Sequence, residues 1–268
     1  MVAKLSLLED YFRALGSAAI AFSGGVDSSF LLKIAHGVLG EKAVAVTEKS
    51  HLLSSMEEEE GAAFCKKNGI RQIFIEENPL LLEEFRENPK NRCYFCKKNL
   101  FTKIKELALK NNLNAVCEGS NADDLTDYRP GLKAVEELGI KSPLRELGFS
   151  KAEIREASKE LSLTTWNKPS KACLASRIPY GEVITEKKLN MVEKAESFLF
   201  TLGLFNCRVR IHGETLARIE IEEKFFSVLL ENKDELLKTF KNLGFLYVTL
   251  DLQGFRSGSL NEVFGASL

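Results

Sequence analysis

The segment SGGVDSS, residues 23 to 29, combines residue types that bind phosphate groups. Gly24 and Gly25 leave backbone amides accessible, and Ser23, Asp27 and Ser28 add hydroxyl and carboxylate groups. Amides at the start of a helix attract anions. The sequence has neither a G-x-x-x-x-G-K-[S/T] nor a G-x-G-x-x-G pattern, so these residues predict a phosphate loop of another type.

Three cysteines have settings that suit metal binding or nucleophilic chemistry. Cys93 and Cys96 are separated by two residues in NRCYFCKKN, just ahead of a predicted helix, and this spacing is shared by zinc half-sites, redox pairs and iron-sulfur ligand pairs. Cys173 lies in KPSKACLASRIPYG, where two lysines and Arg177 favour a reactive thiolate. An accidental CxxC and an inert loop thiol are the alternatives.

The remaining cysteines and the composition limit the class of protein. Cys65, Cys117 and Cys207 lie in apolar patterns typical of small core side chains. The 37 Lys and Arg residues balance 38 Asp and Glu residues, which disfavours binding to extended nucleic acid. No apolar run approaches the roughly 20 residues that span a bilayer, and the N-terminus lacks the apolar core of a signal peptide. We therefore expect a cytoplasmic protein without a membrane segment, in which structural disulfides are uncommon.

Strands and helices alternate over residues 1 to 165. Apolar spacing predicts helices over 4 to 15, 28 to 39 and 97 to 110, and strands at 17 to 22, 42 to 50 and 71 to 77, with another in NAVCEG. Ser55 with Glu58 and Ser150 with Glu153 predict capping boxes at two further helices. This order predicts an α/β domain with a doubly wound, mostly parallel sheet.

The pattern changes after a loop over residues 166 to 184 that contains Cys173. Residues 185 to 268 predict a smaller C-terminal α+β domain: helix 185 to 202, strands 206 to 212 and 215 to 221, helix 223 to 242 and strand 245 to 252. Strand alternation puts Arg208 and Arg210 on one face with His212. The two arginines are candidates for binding a substrate phosphate, and an ordinary solvated sheet face is the alternative.

Two further strand ends supply candidate ligands for a nucleotide. GSNADD ends the strand in NAVCEG and offers Gly119, Asp123 and Asp124, the carboxylates as candidates for magnesium or adenylation. An N-cap and turn pair is the alternative for these carboxylates. Thr47 and Ser50, at the end of AVAVTEKS, are candidates for contact with adenine and ribose, and a generic strand end is the alternative.

The loop and three later motifs resemble a known family. SGGVDSS is similar to the loop of the PP-loop ATP pyrophosphatases, which break ATP between its α and β phosphates. EGSNADDLTDYRPG, CLASRIPYG and CRVRIHGETLARIEI resemble motifs of the LarE family, the ATP-dependent sulfur transferases of nickel-pincer cofactor synthesis. The resemblance covers about residues 5 to 255.

This resemblance implies roles for the candidate residues. Ser23, Gly24, Gly25 and Ser28 would grip the leaving pyrophosphate of ATP, while Asp27 would orient the loop or its Mg²⁺. Ser176 and Arg177, beside Cys173, would orient the substrate or its phosphate. In the three-cysteine branch of the family, Cys93, Cys96 and Cys173 would hold a 4Fe-4S cluster whose fourth iron carries a sulfide for transfer.

The resemblance also implies the substrate and the assembly. The substrate would be pyridinium-3,5-biscarboxylic acid mononucleotide, converted in two rounds to the bisthiocarboxylic acid by a homo-oligomer. The sequence identifies no sulfide donor. Alternatives are a sacrificial Cys173 as the sulfur source, a tRNA-thiolating enzyme, a non-catalytic nucleotide sensor or iron-sulfur scaffold, and an ammonia-using amide synthetase.

Overall fold

Short apolar runs in this chain form strands, and the amphipathic segments between them form helices. The computed structural model describes residues 2–126, 130–169, 172–256 and 258–264. The strands are β1 (Ala18–Ala21), β2 (Ala43–Lys49), β3 (Gln72–Glu76), β4 (Ala115–Cys117), β5 (Cys207–His212), β6 (Leu216–Ile221) and β7 (Tyr247–Leu250). The helices are α1 (Val2–Leu15), α2 (Val26–Leu39), α3 (Ser55–Lys67), α4 (Glu83–Arg86), α5 (Arg92–Lys110), α6 (Gly131–Glu137), α7 (Pro143–Glu146), α8 (Lys151–Glu160), α9 (Glu186–Thr201), α10 (Phe226–Glu231) and α11 (Lys233–Leu243). Among the described residues, no helix is both long enough and apolar enough to cross a membrane.

Four parallel strands form the larger sheet, in the order β3-β2-β1-β4. Ala18 pairs with Ala43 on one side and with Ala115 on the other, so β1 is central. Ile20 packs into an apolar cluster with residues of α1, α2 and α8, whereas Ala19 packs on the opposite face with residues of α5 and α6. Helices cover both faces, which confirms the doubly wound α/β fold.

The helix starts differ from the predictions at two places. The capping box of α3 uses Ser54 and Glu57, so the predicted pair Ser55 and Glu58 is wrong by one residue. The box of Ser150 and Glu153 at α8 is confirmed. Helix α5 begins at Arg92, five residues before the predicted start, because the turn that contains both cysteines of NRCYFCKKN is itself helical.

The residues cluster into two compact units. The first consists of residues 1 to 79 and 91 to 171, and the second of residues 80 to 90 and 172 to 268. The short segment belongs to the second unit through bonds such as that of Ile184 N to Arg86 O, 2.8 Å, and that of Gly181 N to Asn88 O, 3.0 Å.

The second unit contains a three-stranded sheet. Its order is β5-β6-β7, with β5 antiparallel and β7 parallel to β6. The single helix predicted over 223 to 242 is wrong, because it is divided at Asn232 into α10 and α11. Asn232 Nδ2 donates to Val228 O at 2.8 Å, and such side-chain bonds to the backbone compete with a continuous helix.

Candidate functional site

The SGGVDSS segment forms the turn from β1 to α2. Gly24 has a φ of 69°, in the left-handed region that glycine tolerates, and Gly25 is the N-cap of α2. The hydroxyls of Ser23 and Ser28 lie 3.1 Å apart. Ser23, Gly25 and Ser28 line a cavity of about 270 Å³, the strand-end cavity, in the first unit.

The strand-end cavity lies at the carboxyl ends of the parallel strands. The chain runs outward from β1 to β2 and β3 and then returns to place β4 on the other side of β1, which makes the β1–β4 boundary the topological switch point. Glu118, Gly119 and Ser120 bring the end of β4 to this cavity. A Cβ on Gly119 would lie 3.0 Å from Ser28 N, so the close approach of β4 to the start of α2 requires glycine there.

Acidic side chains dominate the charge of the strand-end cavity. Asp27 and Glu48 both line it, and each has one buried carboxylate oxygen without a hydrogen-bond partner among the described residues. Burial raises the pKa of Asp27 above its usual value, although the ammonium of Lys151, 2.6 Å from Asp27 Oδ2, opposes the shift. Burial also raises the pKa of Glu48, and the nearby carboxylate of Glu77 adds to it. A cation in this cavity would therefore relieve an electrostatic cost.

The two aspartates of GSNADD have different positions. Asp124 is buried and lines the strand-end cavity, where its Oδ2 accepts a bond from Asn121 N at 3.0 Å. Asp123 is exposed, and its Oδ2 accepts the backbone N–H of Lys151 at 2.9 Å. The structure thus brings Asp124 to the cavity and uses Asp123 at the start of α8. Residues 127 to 129 of the longer motif lie outside the described residues.

Strand β2 presents different residues to the cavity than the sequence suggested. Val46 and Glu48 line it, whereas Thr47 points to the other face and accepts a bond from Gln72 Nε2 at 2.8 Å. Ser50 Oγ accepts the N–H of Leu52 at 3.3 Å in the turn after β2. The structure therefore does not bring Thr47 to the cavity.

Sequence reasoning missed several charged residues near the loop. Lys151 is the first residue of α8 and pairs with Asp27, and only the capping serine before it marked its position. Glu118 is buried and accepts the hydroxyls of Ser120, at 2.7 Å, and Ser142, at 2.6 Å. Lys97 Nζ lies 3.9 Å from Glu118 and places a cation at the same cavity. Glu118 directly precedes GSNADD, so of these three residues it is the one that the sequence could most readily have identified.

Cys93 and Cys96 lie in the first unit, in the opening turns of α5. Their i, i+3 spacing puts both thiols on one face of the helix, and both are half-buried. The expectation that they precede the helix is wrong. Within the described ranges, no group of three or more His, Cys, Asp and Glu side chains is arranged to hold a metal ion.

The cysteines predicted to be core residues are buried. This is confirmed for Cys65, Cys117 and Cys207. Burial raises the pKa of the Cys65 thiol to about 12 and raises that of Cys117 further. Such thiols are poor sources of thiolate. Cys93, Cys96 and Cys173 are only half-buried.

Cys173 lies in the second unit, just before a short 3-10 turn, Leu174–Arg177. Arg177 holds this turn: its Nη1 donates to Ala172 O at 2.8 Å, to Cys173 O at 3.3 Å and to Ser176 Oγ at 2.9 Å. Its other nitrogens bind both oxygens of Glu196 on α9 at 2.8 Å. The structure therefore brings Cys173, Ser176 and Arg177 together around a buried ion pair.

Of the two lysines expected near Cys173, Lys168 belongs to the first unit. Lys168 Nζ donates to Gly24 O at 3.0 Å and pairs with Glu60 at 2.6 Å. Lys171 lies outside the described residues.

The arginine face of β5 is buried and ion-paired. Arg210 donates through Nε and Nη2 to both oxygens of Glu220 on β6, at 3.1 and 3.0 Å, and through Nη1 to Ser176 O. Glu220 is fully buried, and Ser259 Oγ also lies 3.1 Å from each of its oxygens. A solvated face is therefore excluded for Arg210, whose charge is neutralised within the unit.

Arg208 has a different electrostatic environment. Burial, followed by the cation of Arg177, lowers the pKa of Arg208 to about 10, against the attraction of Glu196. Its guanidinium carbon lies 5.2 Å from the ring centroid of Phe255, a cation–π contact. The lowered pKa means that the folded unit holds this positive charge at a cost, which a bound anion would offset.

Relatives of known sequence match the chain along nearly its whole length. An uncharacterized protein of Synechocystis sp. is 46% identical over 262 residues, 97% of each chain. The pyridinium-3,5-bisthiocarboxylic acid mononucleotide synthase of Lactiplantibacillus plantarum is 36% identical over 263 residues, 98% of this chain and 95% of the relative. A component of the glutamine-hydrolyzing GMP synthase of Methanocaldococcus jannaschii is 29% identical over 197 residues, 68% of this chain and 62% of the relative. No family model matches the chain.

The match to the GMP synthase component is weaker and covers about two thirds of the chain, whereas the match to the mononucleotide synthase extends through both units. The chain therefore belongs to the LarE family of ATP-dependent sulfur transferases, within the PP-loop ATP pyrophosphatase superfamily.

Proposed function

We propose that this enzyme adenylates the carboxylates of pyridinium-3,5-biscarboxylic acid mononucleotide and replaces them with thiocarboxylates. The observation that carries the proposal is the 36% identity, over 98% of the chain, to a pyridinium-3,5-bisthiocarboxylic acid mononucleotide synthase. We also propose, from the sequence and the resemblance, that the enzyme is cytoplasmic and forms a homo-oligomer.

The strand-end cavity supports the adenylation step. A substrate carboxylate oxygen attacks the α-phosphorus of ATP, the bond to the β-phosphate breaks, and pyrophosphate leaves with additional negative charge. We infer that the amides of the SGGVDSS turn and of the start of α2, which lie at this cavity, would stabilise that charge. Ser23 and Ser28 add hydroxyl donors there.

The carboxylates of this cavity fit a magnesium ion that arrives with the nucleotide. Mg²⁺ binds one or two protein carboxylates and completes its coordination with phosphate oxygens and water. Asp27, Glu48 and Asp124 line the cavity, and the first two each have a buried oxygen for which the described part of the chain supplies no donor. We assign these three side chains as the candidates that hold Mg²⁺.

Sulfide then displaces AMP from the acyl carbon, and a thiocarboxylate results. We propose that Cys93, Cys96 and Cys173 hold a 4Fe-4S cluster, which when bound would supply the transferable sulfide. Three half-buried thiols fit this role chemically, since cluster ligands are thiolates and the other three thiols are in the core. Arg177 fixes the loop of Cys173, and Arg208 is our candidate for the substrate phosphate.

The decisive experiment is iron and sulfide analysis of protein prepared anaerobically, combined with the sulfuration assay. We expect brown protein with about four irons per chain, and loss of colour and repeated turnover in each of C93A, C96A and C173A. C65A is the matched control because Cys65 is buried, and this variant should keep both the brown colour and repeated turnover.

Other outcomes of the same experiment identify the alternatives. Colourless but active protein, in which Cys173 is converted to dehydroalanine after one turnover, would show a sacrificial cysteine. Wild-type protein that forms no AMP and no thiocarboxylate from ATP, sulfide and the mononucleotide would refute the proposed reaction.

A further inference from the structure

Lys168 is held at a fixed point of the first unit. Its backbone N–H donates to Thr165 O at 3.0 Å, and its carbonyl accepts Arg155 Nη2 at 2.8 Å. Arg155 also binds the carbonyl of Trp166 at 3.0 Å, which ties this segment to α8. The lysine side chain therefore starts from a backbone held on two sides.

The ammonium of Lys168 reaches the phosphate loop. Lys168 Nζ donates to Gly24 O at 3.0 Å and pairs with Glu60 on α3 at 2.6 Å. Its side chain is only 15% exposed. Gly24 and Lys168 line a second cavity of about 740 Å³, which we call the lysine cavity because Lys33 and Lys67 also line it.

The Gly24–Gly25 peptide joins two residues that line different cavities. Gly24 lines the lysine cavity, whereas Gly25 lines the strand-end cavity. In a planar trans peptide the carbonyl and the N–H point in opposite directions. We propose that Lys168 is a positioning residue: by holding the Gly24 carbonyl, it turns the N–H of Gly25 toward the pyrophosphate of ATP. The assignment of that ligand rests on the proposed function.

The peptide needs such a hold because glycine flanks it on both sides. Glycine accepts many backbone angles, so this peptide can flip at little steric cost. The next peptide is already fixed, since Gly25 O accepts the N–H of Ser29 at 3.0 Å within α2. A flip would replace a donor with a carbonyl oxygen facing a phosphate, which is repulsive. Lys168 is thus the side chain that keeps the donor in place.

The sequence allows this one peptide to be observed directly. Gly24–Gly25 is the only Gly-Gly step in the chain. Full-length protein labelled with [1-¹³C] and [¹⁵N] glycine gives a single HNCO cross-peak, from the Gly24 carbonyl and the Gly25 amide. Pyrophosphate is the probe, so the measurement needs neither the sulfur source nor the carboxylate substrate.

In the wild-type protein, pyrophosphate should shift the Gly25 amide resonance. K168M should move the Gly24 carbonyl resonance and abolish the amide response, whereas K168R, which keeps a cationic donor, should restore both. K67M is the matched control, because Lys67 lines the same cavity but is exposed, and it should behave as wild type. E60Q, which removes the ion pair of Lys168, should give an intermediate response.

The kinetic consequence is a fall in kcat/KM for ATP by about 10- to 100-fold in K168M, the value of one hydrogen bond to a charged group, with recovery in K168R. A K168M protein with an unchanged cross-peak and full pyrophosphate response would overturn the proposal, as would a wild-type Gly25 amide that ignores pyrophosphate. If K168M is too unstable to measure, the Gly24 carbonyl and Gly25 amide resonances of E60Q and K168R test the proposal instead. A wild-type protein with the expected amide shift but no sulfuration would refute the proposed reaction and leave the role of Lys168 intact.

Discussion

Replacing Arg210 by methionine removes a guanidinium from a carboxylate that has no access to water. Glu220 is fully buried and binds Arg210 through both oxygens, at 3.1 and 3.0 Å. Arg218 Nη1 also lies 3.2 Å from Glu220, and Ser259 donates to it. In R210M the charge of Glu220 would be balanced by Arg218 alone.

The expected loss of unfolding free energy follows from these contacts. Removing one partner of a buried ion pair costs about 3–5 kcal/mol, and the remaining Arg218 recovers part of it, so we expect a loss of about 2–4 kcal/mol for R210M. R208M should change stability by less than about 1 kcal/mol, or stabilise, because methionine replaces a cation that folding already buries at a cost. The lowered pKa of Arg208 expresses this cost: the charged form is less favourable in the folded unit than in the unfolded chain.

Urea unfolding followed by far-UV circular dichroism measures both variants. The single tryptophan, Trp166, lies in the first unit, so its fluorescence reports that unit separately. R210M should lower the dichroism midpoint more than the Trp166 midpoint. R208M should keep both midpoints and instead raise the KM for the mononucleotide with little change in the KM for ATP. Wild-type stability in R210M together with a loss of several kcal/mol in R208M would refute this division of roles.

Two further predictions concern the strand-end cavity. G119A should lower ATP-dependent turnover and shift the melting temperature downward, because its Cβ would lie 3.0 Å from Ser28 N and 3.2 Å from Ser28 Cα; G37A, with open space around the same added atom, is the control and should keep full activity. Asp27 has a raised pKa, so its contribution to stability is present at low pH and is lost as the pH rises above 3.8 through the folded-state value. The unfolding free energy of D27N relative to wild type should therefore increase with pH over this window, and a difference that is independent of pH would contradict the buried setting of Asp27.

The larger fold was predictable because its strands are short apolar runs and its helices are amphipathic. β2 and β3 lie within the predicted runs, and α2 starts two residues before the predicted helix. The missing details depend on interactions beyond periodicity. Local backbone and side-chain hydrogen bonds decide where α5 starts and where the helix breaks at Asn232. Residues 80 to 90 join the second unit through hydrogen bonds to residues more than ninety positions away.

The site was predictable where the backbone supplies the chemistry and less so where side chains do. The glycine turn fixes its own position between β1 and α2. Glu48 was missed in favour of Thr47 because a strand buried on both faces has no polar alternation to show which side meets the cavity. Arg210 looked equivalent to Arg208 because alternation gives the face of a residue but not the carboxylate opposite it.

The two candidate sites differ in the sign of the charge that burial disfavours. In the first unit, Asp27 and Glu48 have raised pKa values and buried oxygens that lack donors among the described residues, so the strand-end cavity favours a ligand that brings a cation, as a magnesium nucleotide does. In the second unit, Arg210 and Arg177 form buried ion pairs with Glu220 and Glu196, and burial lowers the pKa of Arg208. A ligand that brings an anion, as a mononucleotide does, would offset the cost of the Arg208 charge. Because both ligands carry phosphate, these opposite charges would direct the metal-bound triphosphate to the first unit and the metal-free monophosphate to the second. An excess of Mg²⁺ should therefore strengthen ATP binding and weaken binding of the mononucleotide.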